Sequence, residues 1–321
     1  MIGGFGSDLP QDLPTAHLCR PLAVKFLRTL YPALRKHYLW FRRTQAGDLK
    51  TWERNAKYPR EGYRWRGHTM THCLTSGLDD YPRATPPHTG ELHVDLISWM
   101  SLMTRVMRKI AIVLDEGEHL RDYIASEVAI NKNIDSLHWS EEHQIYCDVT
   151  VDDYEESVHV CHKGYVSLFP FLVGGIIAPD SDRLKPVLDF ISDPEHIWTP
   201  YGLRSLSKSD AFYGVGENYW RGAIWININY LALRSLYQYA KVPGPQQKQA
   251  RTIYLDLRKN LVENIFKEWK RTGFAWEQYN DETGEGQRTK HFLGWTSLVV
   301  KIMAMPGKIS LVQTEYMDWA E

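Results

Sequence analysis

Cysteine is scarce: four residues in 321, Cys19, Cys73, Cys147 and Cys161, with no C-x-x-C pair among them. That is too few for a disulfide scaffold and leaves the redox compartment open. Long apolar runs are missing as well. The most apolar stretch, Leu168 to Ala178, is short and interrupted by Pro170, Gly174 and Gly175, so no segment reads as membrane-spanning. There is no signal-peptide pattern at the start and no N-x-S/T sequon. The formal net charge is −1 and no long Lys/Arg run occurs, which argues against nucleic acid or an anionic membrane as the main partner. An uncharged ligand suits this balance better. Strand–helix alternation with a glycine fingerprint is absent, so a doubly wound nucleotide fold is not expected. Gly214-x-Gly216 is followed by no Gly-Lys-Ser/Thr, and neither G-x-S-x-G nor H-E-x-x-H occurs. His68 and His72 are four apart beside Cys73, but no second spaced pair accompanies them, so they read as loop or core histidines and no metal or cofactor is expected.

What is abundant is aromatic. Twelve Trp and 18 Tyr are present, several in loops beside carboxylates, where flat rings with a polar edge suit sugar recognition, although they also suit a large helical core. Residues 1–14 are Gly/Pro-rich without a period and form an irregular lead-in. The 3.6 period predicts helices over Pro21–Gln45, His93–Leu114, Glu118–Leu137, Arg221–Ala240, Gly244–Arg271 and Phe292–Ala304, with a short one over Ser181–Ile191. In the second of these, Leu96, Met100, Met103, Met107, Ile110 and Leu114 form the stripe, widened by Ile97, Val106 and Val113. Trp139–Tyr165 alternates and reads as a hairpin or extended excursion. Long helices thus alternate with polar-aromatic loops three times, an all-α arrangement of one domain with its loops gathered at one end.

The first loop carries Ser76-Gly77-Leu78-Asp79-Asp80-Tyr81-Pro82-Arg83. Pro82 fixes its own φ and pushes Tyr81 towards an extended conformation, so the two Asp side chains sit on a short, shaped loop. Glu91 and Asp95 follow at i and i+4, read as one face of a helix's first turn, which places four acidic groups within residues 79–95. The third loop, Gly273–Thr289, sets Glu277 between Trp276 and Tyr279. Asp79 and Glu277 are candidates for a carboxylate pair that protonates a leaving oxygen and activates water, as glycoside hydrolysis requires. On spacing alone Glu277 reads first as a surface or capping glutamate, and Asp79-Asp80 reads equally as an ordinary Asx turn. In the second loop, Tyr219-Trp220-Arg221 stands at a helix start, where Trp220 could stack on a sugar or simply pack the helix, and Arg221 could order a carboxylate or a hydroxyl.

These stretches, with Glu91-Leu92-His93-Val94-Asp95-Leu96 and Trp225-Ile226-Asn227-Ile228-Asn229-Tyr230, resemble in order the processing α-glucosidases of glycoside hydrolase family 63, in a wording similar to fungal members. The match runs from about Tyr63 to Trp295. It implies an (α/α)6 toroid with the site at one end of the helix ring. It also implies inverting removal of the terminal α-1,2-linked glucose from a triglucosylated N-glycan precursor in the endoplasmic reticulum lumen. On that pattern Asp79 is the general acid and Glu277 the general base. Tyr219, Trp220 and Arg221 line the glucose subsite, the Glu91/Asp95 motif binds substrate, and Asp80, Tyr81, Arg83, Trp276 and Tyr279 complete the contacts. Members of the family are longer, with a membrane anchor, a β-rich domain and further helices, and the Phe-Phe-Pro-Arg-Gly-Phe kind of motif is absent here. The chain is therefore expected to form the C-terminal part of the toroid, to expose apolar inner helix faces, and to pair with the missing N-terminal half. A truncated, non-catalytic or sugar-binding module of the same fold is the alternative.

Overall fold

The computed structural model describes residues 16–309; the lead-in expected over 1–14 lies outside them. Eight helices carry the described residues: α1 (Ala16–Thr44), α2 (Val94–Leu114), α3 (Gly117–His138), α4 (Tyr165–Leu172), α5 (Leu184–Ser192), α6 (Ile226–Lys241), α7 (Gln247–Thr272) and α8 (Leu298–Ala304). Between them lie four two-stranded antiparallel pairs. These are β1 (Trp139–Ser140) with β2 (Ile145–Tyr146), β3 (Asp148–Val151) with β4 (Ser157–Val160), β5 (Trp198–Thr199) with β6 (Gly202–Leu203), and β7 (Trp276–Tyr279) with β8 (Gly286–Lys290).

The packing order reveals the architecture. α2 packs on α4, α4 on α6 and α6 on α8, while α1 and α3 lie against α2, and α5 and α7 complete the other layer. The even-numbered helices therefore form an inner arc and the odd-numbered ones an outer arc, the helix-pair arrangement of an all-α toroid. α4 shows why: every residue from Tyr165 to Leu172 is buried, as a helix surrounded on all sides must be. Its apolar sequence without a polar face gives no helical period, and for that reason sequence reading misses it.

Each motif loop leads into an inner helix. The Asp79 loop precedes α2, the Tyr219 loop precedes α6, and the β7–β8 hairpin with Glu277 precedes α8. All three therefore end up at the N-terminal end of the inner arc. Apolar exposure on the described helices gathers at the two ends of that arc. Phe26, Val106, Val113, Ile124 and Val128 lie open on α1 to α3, and Phe266, Trp269, Val300 and Met303 on α7 and α8. Five of these nine lie on the outer helices α1, α3 and α7, so the exposure is not the expected one of inner helix faces. Val106 and Val113, expected to widen the buried stripe of α2, face outward.

Two boundaries differ from expectation for one reason. The helix predicted from Arg221 begins at Ile226, because Ile224 is extended and bridges both Arg204 and Tyr279. The third loop is the β7–β8 hairpin, whose first strand supplies Tyr279 to that bridge. α6 then starts on a buried polar node. The Asn229 amide donates to Leu203 O (3.0 Å), Trp225 O (2.8 Å) and the Tyr165 hydroxyl (3.0 Å), and its oxygen accepts the Leu203 N–H at 2.8 Å. Asn229→Ala orphans the buried Leu203 N–H, and a loss of about 2–3 kcal/mol is expected in urea unfolding. A loss below about 0.5 kcal/mol would mean that the node contributes nothing measurable.

Candidate active site

The Asp79 loop is shaped by Gly77, which adopts φ 73° after the turn Leu74–Ser76 and reverses the chain. The Cys73 N–H then donates to Asp79 O (2.8 Å) and holds the reversal closed. Asp79 is left half-buried, whereas Asp80 turns inward and is buried. The Asp80 carboxylate accepts the Tyr219 N–H at 3.0 Å and the Trp220 N–H at 2.7 Å. Arg221 Nε donates to Asp80 O at 2.7 Å and stands 3.5 Å from Asp80 Oδ2. One carboxylate thus joins the first loop to the second.

The second loop in turn holds the third. The Tyr219 hydroxyl donates to Glu277 Oε1 through a short hydrogen bond, and the Thr289 N–H approaches Oε2 at 3.3 Å. Trp295 Nε1 donates to Glu277 O (2.7 Å), and Thr296 Oγ1 donates to Trp276 O, so the turn before α8 fixes the strand that carries Glu277. Arg288 closes the outside. Its guanidinium lies 5.3 Å from the Tyr219 ring centroid and donates to Glu217 O at 2.8 Å. The backbone of Arg288 sits at φ 63°, an unfavourable region for a side chain with a Cβ, which marks a position held by its contacts. Asp79 and Glu277 therefore belong to one hydrogen-bonded assembly of three loops.

The electrostatics mark out Asp79. Burial, the adjacent Asp80 charge and Glu217 raise Asp79 above the ordinary carboxylate value, although His72, paired with Glu217 at 3.0 Å, partly opposes this. Burial and the neighbouring Glu277 push the Tyr219 phenol up, so it stays a donor.

The glycosyl hydrolase family 63 C-terminal domain profile matches residues 17–305, nearly all of the described chain. The chain belongs to glycoside hydrolase family 63. A probable mannosyl-oligosaccharide glucosidase of Schizosaccharomyces pombe is 56% identical to this family 63 chain over 309 residues, covering 94% of it and 38% of the relative. The mannosyl-oligosaccharide glucosidase of Saccharomyces cerevisiae is 42% identical over 296 residues, covering 88% and 35%. The chain thus spans well under half the length of these curated relatives. A family 63 mannosylglycerate hydrolase from Thermus thermophilus, solved with Tris, superposes with TM-score 0.62 at 16% identity over 89% of this chain and 72% of that one. A neutral trehalase from Saccharomyces cerevisiae gives 0.52 at 13% identity over 74% and 40%. At such identities the likeness is one of fold.

Several residues expected to touch substrate lie beneath the site of this family 63 chain. Arg83 is buried between Asp95 Oδ2 (2.5 Å) and Asp148 Oδ2 (2.7 Å), and Trp65 Nε1 adds a bond to Asp95 at 3.1 Å. The Tyr81 hydroxyl donates to His162 O at 2.8 Å, and Tyr279 is fully buried. Trp220 stacks on Trp225 with centroids 3.7 Å apart, so packing, not a sugar, covers that face. Trp276 is partly buried against Gly286, where a Cβ would overlap the indole. Glu91 and Asp95 do not share a helical face, because α2 begins only at Val94; Leu92 bridges Val149 instead. The Glu91 carboxylate accepts from His68 at 3.0 Å and faces His93 Nε2 at 3.6 Å. His68, Glu91 and His93 are close enough to suggest a metal. However, His93 Nδ1 accepts the Trp65 N–H at 3.0 Å, so its proton is on Nε2, and that nitrogen has no free pair for an ion. Sequence reading missed Trp295, Arg288 and Asp148. Only Trp295, just before a helix, gave a usable signal.

The supporting layer predicts acid sensitivity. Burial alone would raise Glu91 and Asp148, but the His68 hydrogen bond and the Arg83 charge hold them below their ordinary 4.5 and 3.8. Burial depresses His93, and takes His138 to about 4, from an ordinary 6.5. In all four the unfolded chain binds its proton at higher pH than the folded one, so stability is full above about pH 7 and declines on acidification. The decline begins as the unfolded histidines titrate below 6.5 and steepens below 4.5. Melting temperature followed from about pH 7.5 to 4 checks this, and a flat profile would overturn it.

Proposed function

We propose that this chain carries the catalytic carboxylates of an inverting exo-α-glucosidase of N-glycan processing, with Asp79 as general acid and Glu277 as general base. The observation that carries the reading is the relay from the Asp79 loop through Asp80 and Tyr219 to Glu277. The raised proton affinity of Asp79 suits a donor to the glycosidic oxygen. As the C1–O bond to the leaving sugar breaks, Asp79 gives up its proton. Glu277 takes a proton from a water whose oxygen forms the new C1–O bond on the opposite face, and exchange with solvent resets both groups. An α-linked glucose leaves as the β-anomer, which calls for carboxyl groups about 6.5–9.5 Å apart.

The names of the two yeast relatives support a glucosylated mannosyl-oligosaccharide as substrate. The finer reading is the terminal α-1,2-linked glucose of the triglucosylated precursor. Tyr219, Arg221, Trp276 and Arg288 are the proposed contacts, with Asp80, Tyr81, Arg83, Glu91, Asp95, Trp220 and Tyr279 positioning them. The remaining length of the relatives is the proposed source of the rest of the glucose pocket. A disulfide between Cys147 and Cys161 supports an oxidising compartment such as the endoplasmic reticulum lumen, and no described helix is long and apolar enough to cross a membrane.

Glucose release from a triglucosylated N-glycan tests the reading. Asp79→Asn and Glu277→Gln are each expected to lower kcat by about 10³-fold or more while the fold persists, and the first glucose seen by NMR is expected to be the β-anomer. Near-wild-type turnover in either variant would remove that residue from the mechanism. Absence of release from the folded wild type would favour a non-catalytic sugar-binding module.

A further inference from the structure

We propose that the Cys147–Cys161 disulfide is a positioning crosslink for the loop that carries Asp79, so that the proton donor is held in place only in the oxidised chain. The inference rests on the reading of Asp79 as the general acid. The two half-cystines stand directly beyond the last pair of the β3–β4 ladder, Asp148 with Val160, with Cα atoms 4.8 Å apart. Each has as its neighbour a residue that grips the acid loop. Asp148, after Cys147, accepts from Arg83 Nη1 at 2.7 Å and from the Val94 N–H at 2.8 Å. His162, after Cys161, offers its carbonyl to the Tyr81 hydroxyl at 2.8 Å, and its ring bonds Asp210 of the second loop at 2.9 Å.

Tyr81 and Arg83 flank Pro82, directly after Asp79 and Asp80. The connections form a closed ring: disulfide, His162 carbonyl, Tyr81, Pro82, Arg83, Asp148, and back to the disulfide. Pro82 removes one backbone rotation from it. The ring also has little slack, since a Cβ on Gly164, two residues past His162, would overlap both the Tyr81 hydroxyl and Ser205 O. Among the described residues, β4 pairs with β3 alone. Once the crosslink opens, the β3–β4 ladder can fray at its Asp148–Val160 end, where both grips attach, and the loop that Asp80 docks onto Tyr219 and Trp220 moves with them. Other anchors remain: Arg54 bonds Thr150 O (3.1 Å), and β3 stays bridged to Leu92. Opening is therefore a local event that leaves the helices in place.

The test compares the wild type, a Cys147→Ser/Cys161→Ser double variant, and wild type treated with dithiothreitol, which takes the disulfide to two thiols and becomes a cyclic disulfide itself. Hydrogen–deuterium exchange is read over residues 76–83 and 216–222, the second containing the two amides bonded to Asp80. Exchange is expected to rise about tenfold in these segments and to stay unchanged in α6 and α7, with reversal on reoxidation. On the triglucosylated N-glycan, kcat is expected to fall about tenfold with KM nearly constant, and the basic limb of the pH profile, set by the proton donor, to shift. Unchanged protection in both segments of a folded double variant overturns the proposal, and so does a uniform loss across all helices, which would mark the disulfide as a general stabiliser. Should the wild type release no glucose, the exchange result alone decides, and the failure belongs to the glucosidase reading.

Discussion

Two backbone N–H groups, from Tyr219 and Trp220, converge on one buried carboxylate, that of Asp80, and Arg221 returns from the same segment to the Asp80 backbone. Remove this contact and the first loop keeps only the half-exposed His72–Glu217 pair as its direct tie to the segment that carries Tyr219. The Asp79 loop would keep its own reversal, but Tyr219 would no longer reach Glu277 from a base tied to that loop. Hydrogen bonds to an ionised acceptor are the strong kind, and backbone donors add no side-chain entropy cost, so a short-range interaction can set the relation between residues far apart in sequence. Asp79 and Asp80 thus differ in setting, the first half-buried and the second turned into the protein.

Beneath that frame lies a second constraint. Arg83 between Asp95 and Asp148 is a buried ion cluster, and such clusters rarely exceed in stability the apolar packing that could replace them. What they supply is uniqueness. A guanidinium between two carboxylates on different elements has one satisfactory position, whereas an apolar side chain has several. The cluster thereby fixes the angle at which the loop meets α2.

The long helices were legible because α2, α3 and α7 each bury one stripe and expose another, which leaves a period in the sequence. α4 was not, since burial on all sides erases the polar half of the pattern. The start of α6 was misread because Trp225 is compatible with helix or strand until Ile224 finds its partners Tyr279 and Arg204. In the motif loops, the family resemblance singled out Asp79 and Glu277, but it could not separate partly exposed side chains from those that brace the loops from below. Arg83 and Tyr81 lie in the same motif as Asp79, and their inward direction is set by Asp148 and His162, more than sixty residues away along the chain. The Cys147–Cys161 pair was hidden for a similar reason. Its geometry comes from the hairpin register, and no spacing rule for cysteines encodes that.

The placement of every motif loop ahead of an inner helix has an electrostatic consequence. Peptide dipoles in α2, α6 and α8 all direct their positive ends towards the loops, equivalent to roughly half a positive charge at each helix start. The same loops collect Asp79, Asp80, Glu91, Asp95, Glu277 and Asp281, with Asp148 beside them. That is more carboxylate than the arginines paired with these groups, Arg64, Arg83, Arg204 and Arg221, can balance. The Val94 N–H of α2 already donates to Asp148. The backbone itself is therefore part of the counter-charge. Because peptide groups do not titrate in this range, that share of the balance stays constant when pH changes.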